Sequence, residues 1–197
     1  MRPGKILLAS SNAGKISEIA RFLDGLGIEV VPQSDFGVED ADETGTTFVE
    51  NALIKAQHAA DMTGLPAIAD DSGLSVDALD GAPGVYSARY AGIDCDDEAN
   101  NDKLLDALRS VDNRGAAFHC VATFVERGEK PLVAEGEWHG EIMRERKGVG
   151  GFGYDSLFYV PDCDCSSAEL TQKQKNARSH RGQALRKLVE LIAQKYS

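Results

Sequence analysis

The chain has 197 residues, enough to bury one sizeable core, as a single domain or as two lobes of one fold. Its formal charge of −11 argues against polymeric DNA or RNA as a partner, since those need broad basic surface. It does not exclude a small polyanion, because a cation held by carboxylates reverses the local sign. Hydrophobic residues at 42% and aromatics at 7% describe an ordinary globular protein, and no run of roughly 18 uncharged apolar residues is present to span a membrane. Lys5 to Ala9 is too short for a secretory leader and runs into Ser10–Ser11–Asn12, so a cytoplasmic location is expected.

In chain order, Lys5–Ala9 (KILLA) reads as a buried strand, and a polar turn leads into a helix with Ile16, Ile19, Ala20, Leu23 and Leu26 at helical spacing. Gly27 ends it and Ile28–Val31 reads as the next strand, a strand–helix–strand opening that predicts an α/β sheet. A second helix is predicted over about Thr46–Met62, with Phe48, Ala52, Ala56 and Ala59 on its inner face, closed by Gly64. Pro66–Asp70 (PAIAD) reads as a short strand ending in acids, with Ala69–Gly73 (ADDSG) at the strand end. Ala116–Glu126 and Leu132–Met143 read as two longer strands joined at Gly128, so part of the sheet is expected to be antiparallel. An amphipathic helix carrying Leu185, Leu188, Val189 and Ile192 closes the chain. With no internal repeat, low-complexity tract or linker, residues 1–197 are expected to form one mixed α/β domain.

Cys95, Cys120, Cys163 and Cys165 make no CxxC pair and no zinc-type spacing. Cys120 lies in an apolar run and is expected to be buried. Cys163 and Cys165 flank Asp164, where a bridge would close a very tight ring, so both are read as free thiols.

Four segments carry chemistry. Ser10–Ser11–Asn12–Ala13–Gly14–Lys15, between strand and helix, aims main-chain N–H groups and an ammonium at one spot, which suits phosphate; it reads equally well as a capped turn. A P-loop is excluded, because Ala9 stands where that motif needs Gly and Ile16 where it needs Ser or Thr. Asp70 and Asp71 repel unless a cation or hydrogen bonds stabilise both, so oxygen ligation of Mg²⁺ or a capped β-turn is expected. Glu43 upstream offers a third carboxylate, and Asn51 and Lys55 share one helix face. Gly148–Asp155 (GVGGFGYD) combines glycines with Phe152 and Tyr154, aromatic faces for a base or core residues beside a loop. Lys175–Gly182 holds the densest basic cluster, Lys175, Arg178, His180 and Arg181, with Ser179 as a helix N-cap. His58, His119 and His139 have no such company and are given no role.

Together these segments closely resemble the inosine/xanthosine triphosphate pyrophosphatases, which clear deaminated purines from the nucleotide pool. The matching stretches are SSNAGK, Glu43–Ala56 (ETGTTFVENALIKA), Pro66–Gly92, Gly150–Asp155 (GGFGYD), Ala168–Thr171 (AELT) and Ser179–Gly182 (SHRG). Two departures stand out: Ser10–Ser11 where the family usually has Thr, and Gln172–Lys173–Gln174 where it has acids.

The resemblance implies an elongated mixed sheet flanked by helices, with two lobes and a central substrate cleft. It implies a Mg²⁺-dependent homodimeric hydrolase that cleaves ITP, dITP or XTP to the monophosphate and pyrophosphate. Carried over residue by residue, Ser10, Ser11, Asn12, Ala13, Gly14 and Lys15 would hold the phosphates. Asp71 would be the general base and a metal ligand, with Glu43 and Asp70 completing the metal site and Lys55 offsetting phosphate charge. Ser72 would touch substrate. Phe152, Gly153, Tyr154 and Asp155 would line the base and sugar site, Lys175 would contact phosphate, and His180 and Arg181 would read the base. The competing readings are a related pyrophosphatase for pyrimidine or other modified nucleotides, and a non-catalytic nucleotide-binding protein.

Overall fold

The strand–helix–strand opening is present, and a ten-residue central strand replaces the short strand and acidic turn expected after it. The computed structural model describes residues 3–23, 27–93 and 96–197, with Ala13 described in its backbone alone; Leu26 and Cys95 lie outside the described residues. The elements are β1 (Lys5–Leu8), α1 (Ala13–Leu23), β2 (Glu29–Pro32), α2 (Phe48–Thr63), β3 (Ala67–Val76), α3 (Asp97–Ala107), β4 (Gly115–Val125), β5 (Leu132–Ile142), β6 (Phe158–Val160), β7 (Cys165–Ser166), α4 (Gln172–Arg178) and α5 (His180–Lys195). The strands form one mixed seven-stranded sheet in the order β2-β1-β3-β4-β5-β6-β7. β1 runs parallel to β2 and β3, while β6 runs antiparallel to β5 and β7.

The chain divides into two compact units, Met1–Asp71 with Cys120–Gly136 and Arg181–Ser197, and Ser72–His119 with Glu137–His180. In the first unit strand parity sorts the core. Ile6 and Leu8 of β1 and Ile68 of β3 pack with Ile19 and Leu23 of α1 and Leu185, Leu188 and Ile192 of α5. Leu7, Ala9, Ala67 and Ala69, their alternates, pack with Ala56, Ala59 and Ala60 of α2. The small α2 residues let the helix lie close to the strands. Thr47 and Glu50 form a capping box at its start, and Gly64, at φ 71, closes it in the left-handed conformation that glycine adopts freely.

The second unit has its own core of Leu74, Val76, Leu104, Leu108, Phe118, Trp138, Phe158 and Val160. Cys120 is buried and Cys163 and Cys165 are half-buried, all three as free thiols. No helix among the described residues is long and apolar enough to cross a membrane.

Candidate active site

Asp70 and Asp71 lie inside β3, not in a turn at its end, which corrects the expectation for this segment. Consecutive strand residues point to opposite faces. Asp71 therefore shares the α2 side with Ala67 and Ala69, and Asp70 shares the α1 and α5 side with Ile68.

On the α2 side, Lys55 Nζ lies 2.8 Å from Glu43 Oε1 and 3.0 Å from Asp71 Oδ1, so two carboxylates converge on one ammonium. Glu43 arrives from the loop before α2. That loop is tied down by Asn51, fully buried, whose Oδ1 accepts from Gly45 N–H at 2.8 Å. A Cβ on Gly45 would stand 2.6 Å from that same oxygen, so only glycine fits. Asp71 Oδ2 is buried without a hydrogen-bond partner. Burial pushes the Asp71 carboxyl above its usual range, more than the Lys55 and Lys15 charges pull it down. Burial alone would lower Lys55, but Asp71, Asp70 and Glu43 outweigh it and hold the ammonium up.

On the opposite face Asp70 Oδ2 meets Arg181 Nε at 3.2 Å and Lys15 Nζ at 3.4 Å, and Arg181 Nη1 meets Glu18 Oε2 at 2.6 Å. The Asp70 side chain is fully buried. Burial alone would raise its pKa, but the Lys15 and Arg181 charges outweigh it and hold the carboxyl well below the carboxylate range. Cys120 Sγ lies 3.9 Å from Asp70 Oδ2, and burial first, then the Asp70 charge, pushes its thiol far up.

The Ser10–Lys15 segment opens α1. Asn12 Oδ1 accepts from Lys15 N–H at 3.0 Å in N-cap fashion, and Ser10 Oγ accepts from Asn12 N–H at 3.2 Å. Ser11, Asn12 and Gly14 are exposed, so the start of α1 faces solvent.

In the second unit, the glycine-rich segment is built on Asp155. Its Oδ2 accepts from Phe152 N–H at 2.9 Å and meets Lys175 Nζ at 2.5 Å, and its Oδ1 accepts from Ser167 Oγ at 2.8 Å. A Cβ on Gly151, at φ 77, would stand 2.0 Å from Asp155 Oδ2. Lys175 Nζ sits 5.2 Å from the centre of the Phe152 ring, and Phe152 is 37% exposed.

Several expected roles move. Asp70 does not join Glu43 and Asp71; its charge is spent on Arg181 and Lys15. Arg181, expected to read a base, is 4% exposed and tied to Asp70 and Glu18. Tyr154 offers no open face: it is buried in the core and its hydroxyl donates to the Ser87 carbonyl at 2.8 Å. His180 is buried and stacked on Phe118, centroids 4.8 Å apart and planes 13° from parallel. Asp155 and Lys175 are a buried pair holding a loop. Ser72, directly after Asp71, is half-buried. Ser179 ends α4 and immediately precedes α5; α4 itself was missed, although Thr171 and Gln174 spell its capping box. Glu18 was not singled out; a buried acid inside the apolar pattern of α1 was the available signal.

A hard divalent cation fits the α2 side. Among the described residues no group of three or more His, Cys, Asp or Glu is arranged to hold a metal. Mg²⁺, however, is commonly held by one or two carboxylates, with substrate phosphates and water completing the shell. Glu43 and Asp71 supply that pair, and the buried unpartnered Asp71 Oδ2 is an oxygen ready to ligate.

A mixed seven-stranded sheet whose strand β3 carries a carboxylate–lysine cluster on one face marks an α/β protein suited to a phosphorylated small molecule. The chain belongs to the Ham1 family, whose model matches residues 6–191. It is similar to the dITP/XTP pyrophosphatase of Shigella flexneri, 55% identical over 192 residues that cover 95% of this chain and 98% of that protein. The dITP/XTP pyrophosphatase of Escherichia coli O157:H7 is 54% identical over the same shares. Among solved structures, a HAM1 protein from Coxiella burnetii aligns at TM-score 0.90 and 50% identity, covering 98% of this chain and 100% of that one. The Ham1 protein of Staphylococcus aureus aligns at TM-score 0.89 and 41% identity, covering 97% and 99%.

Proposed function

We propose that this protein hydrolyses deaminated purine nucleoside triphosphates, ITP, dITP and XTP, to the monophosphate and pyrophosphate with Mg²⁺ in the cytoplasm. The observation that carries the reading is the meeting of Glu43 and Asp71 at Lys55, with Asp71 Oδ2 buried and unpartnered. The two acids and one ammonium leave a net charge of −1, which attracts a cation and, through it, a polyphosphate. The activity for which the Shigella and Escherichia relatives are named supports the substrate class.

Glu43 and Asp71 would hold the cation, which when bound neutralises phosphate charge and orients water. Asp71 is the base: its raised pKa makes it more basic than an ordinary carboxylate. It takes a proton from a water whose oxygen bonds to the α-phosphorus as the bond from that phosphorus to the bridging oxygen breaks and pyrophosphate leaves. Lys55 holds both carboxylates in place, and it and Lys15, whose charge acts on Asp71 as well as on Asp70, would offset charge developing on phosphate oxygens. The exposed face of Phe152 would stack the purine, with Asp155 and Lys175 holding its loop next to Gly153, while Tyr154 and His180 lie buried in the same unit. The family resemblance also supports a homodimer, which sedimentation tests directly.

The test is pyrophosphate release from ITP, dITP, XTP, GTP, ATP and a pyrimidine triphosphate, with and without Mg²⁺. The proposal expects cation-dependent release, fastest on the three deaminated purines. Equal rates across the panel would end the selectivity claim, and no release at all would leave a binding protein.

A further inference from the structure

α3 carries an anomaly. It buries two consecutive asparagines, Asn100 at 2% and Asn101 at 1% exposure, where apolar residues would pack the helix more favourably. Both spend their amides on loops. Asn100 Oδ1 accepts from Ala91 N–H at 2.6 Å and its Nδ2 donates to the Ala88 carbonyl at 2.9 Å. Asn101 Nδ2 donates to the Gly153 carbonyl at 3.0 Å. One turn earlier, on the same helix face, Asp97 Oδ2 accepts from Gly153 N–H at 2.7 Å. Both main-chain polar groups of Gly153, a residue at φ 61, are therefore gripped by one face of α3. Asp155 grips the preceding N–H, that of Phe152. The arrangement is not one that stability alone selects: Asn101 Oδ1 is buried with no hydrogen-bond partner.

We propose that Asp97 and Asn101 are positioning residues for the nucleobase, fixing Gly153 and so the angle of the Phe152 ring on which the purine stacks. The inference rests on the function proposed above. Phe152 keeps 37% of its surface exposed, so core packing does not hold its ring fully; the main chain on either side does. A loosened Gly153 lets the ring wander, which weakens binding of the base without touching the groups at Asp71 that do the chemistry.

The experiment measures KM and kcat for ITP in wild type, Asn101→Ala, Asp97→Ala and Asp97→Asn, and again with Phe152→Ala added to each. Losing one clamp hydrogen bond is expected to raise KM about 5- to 20-fold with kcat within about threefold. Asp97→Asn keeps an oxygen acceptor for Gly153 N–H and is expected within about twofold of wild type. With Phe152 already removed, the clamp substitutions should add no further rise in KM, because there is no ring left to aim. The proposal is overturned by an unmoved KM, by a fall confined to kcat, or by KM increments that persist without Phe152. Should Asn101→Ala fail to fold, the exposed Asp97 pair decides the matter alone. A wild type inert toward ITP sinks the functional reading and the clamp with it, whereas an active wild type with indifferent variants sinks only the clamp.

Discussion

Asp70 and Asp71 are neighbours in one strand, yet their carboxylates serve opposite faces of the sheet: Asp70 binds Arg181 and Lys15, and Asp71 binds Lys55. The first meets two cations, one from α1 and one from α5. The second shares a single ammonium with another acid, Glu43. Sequence adjacency therefore joins an acid tied to two cations to the acid proposed as the base.

Replacing Asp71 by Asn removes the base while keeping the shape of the side chain. Turnover of ITP is expected to fall about 10²- to 10⁴-fold, with the thermal midpoint within a few degrees of wild type. Activity within a few-fold of wild type would remove Asp71 from the chemistry.

Arg181→Met leaves Asp70 and Glu18 facing each other in a buried space without their shared cation. Breaking such a pair is expected to cost about 3–5 kcal/mol in denaturant unfolding. The ratio of ITP to ATP turnover in the surviving folded fraction should stay as in wild type. A changed ratio with unchanged stability would restore Arg181 as a reader of the base.

The two aspartates should titrate on opposite sides of the ordinary carboxylate value. In metal-free protein, carboxyl NMR is expected to find Asp70 ionised to well below that range and Asp71 protonated above it. The signs of their linkage to stability differ accordingly. The stabilisation from Asp70 is present above its unfolded value, about 3.9, and is lost as pH falls through its depressed folded value. That from Asp71 is present below the unfolded value and is lost as pH rises through its raised folded value. Lys55→Met removes a charge that opposes burial and should move Asp71 further up, while added Mg²⁺ should move it down. Coincident titrations would contradict the two environments.

Gly151→Ala drives a Cβ to 2.0 Å from Asp155 Oδ2 at a φ of 77, which L side chains rarely adopt. The expected outcome is a loss of about 1–3 kcal/mol in stability together with a higher KM for ITP. An alanine variant that binds and melts like wild type would show that Asp155 does not set the loop.

Much of the fold was legible because hydrophobic period is a local property. The spacing of Ile16, Ile19 and Leu23, the alanine face of α2, the long runs of β4 and β5 and the apolar stripe of α5 each point to one element. β3 was cut short because Asp70–Asp71–Ser72–Gly73 is composed like a turn, whereas burial on both faces makes it a strand. α3 went unread because its buried positions include Asn100 and Asn101, which no apolar pattern marks. Which candidate residues stand open was not legible, since Arg181, Tyr154 and His180 look free until their partners are seen.

What the sequence by itself determined was chemical inventory and local order: a helix N-terminus with a lysine, paired acids, a glycine-rich aromatic segment, and the ordered motifs that mark the family. Tertiary structure alone decided which charges meet. Arg181 finds Asp70 from 111 residues away and Glu18 from 163, and strand parity sends Asp71 to Lys55 instead. Charge pairing acts over a few ångströms, and only packing brings such distant parts of the chain within that reach.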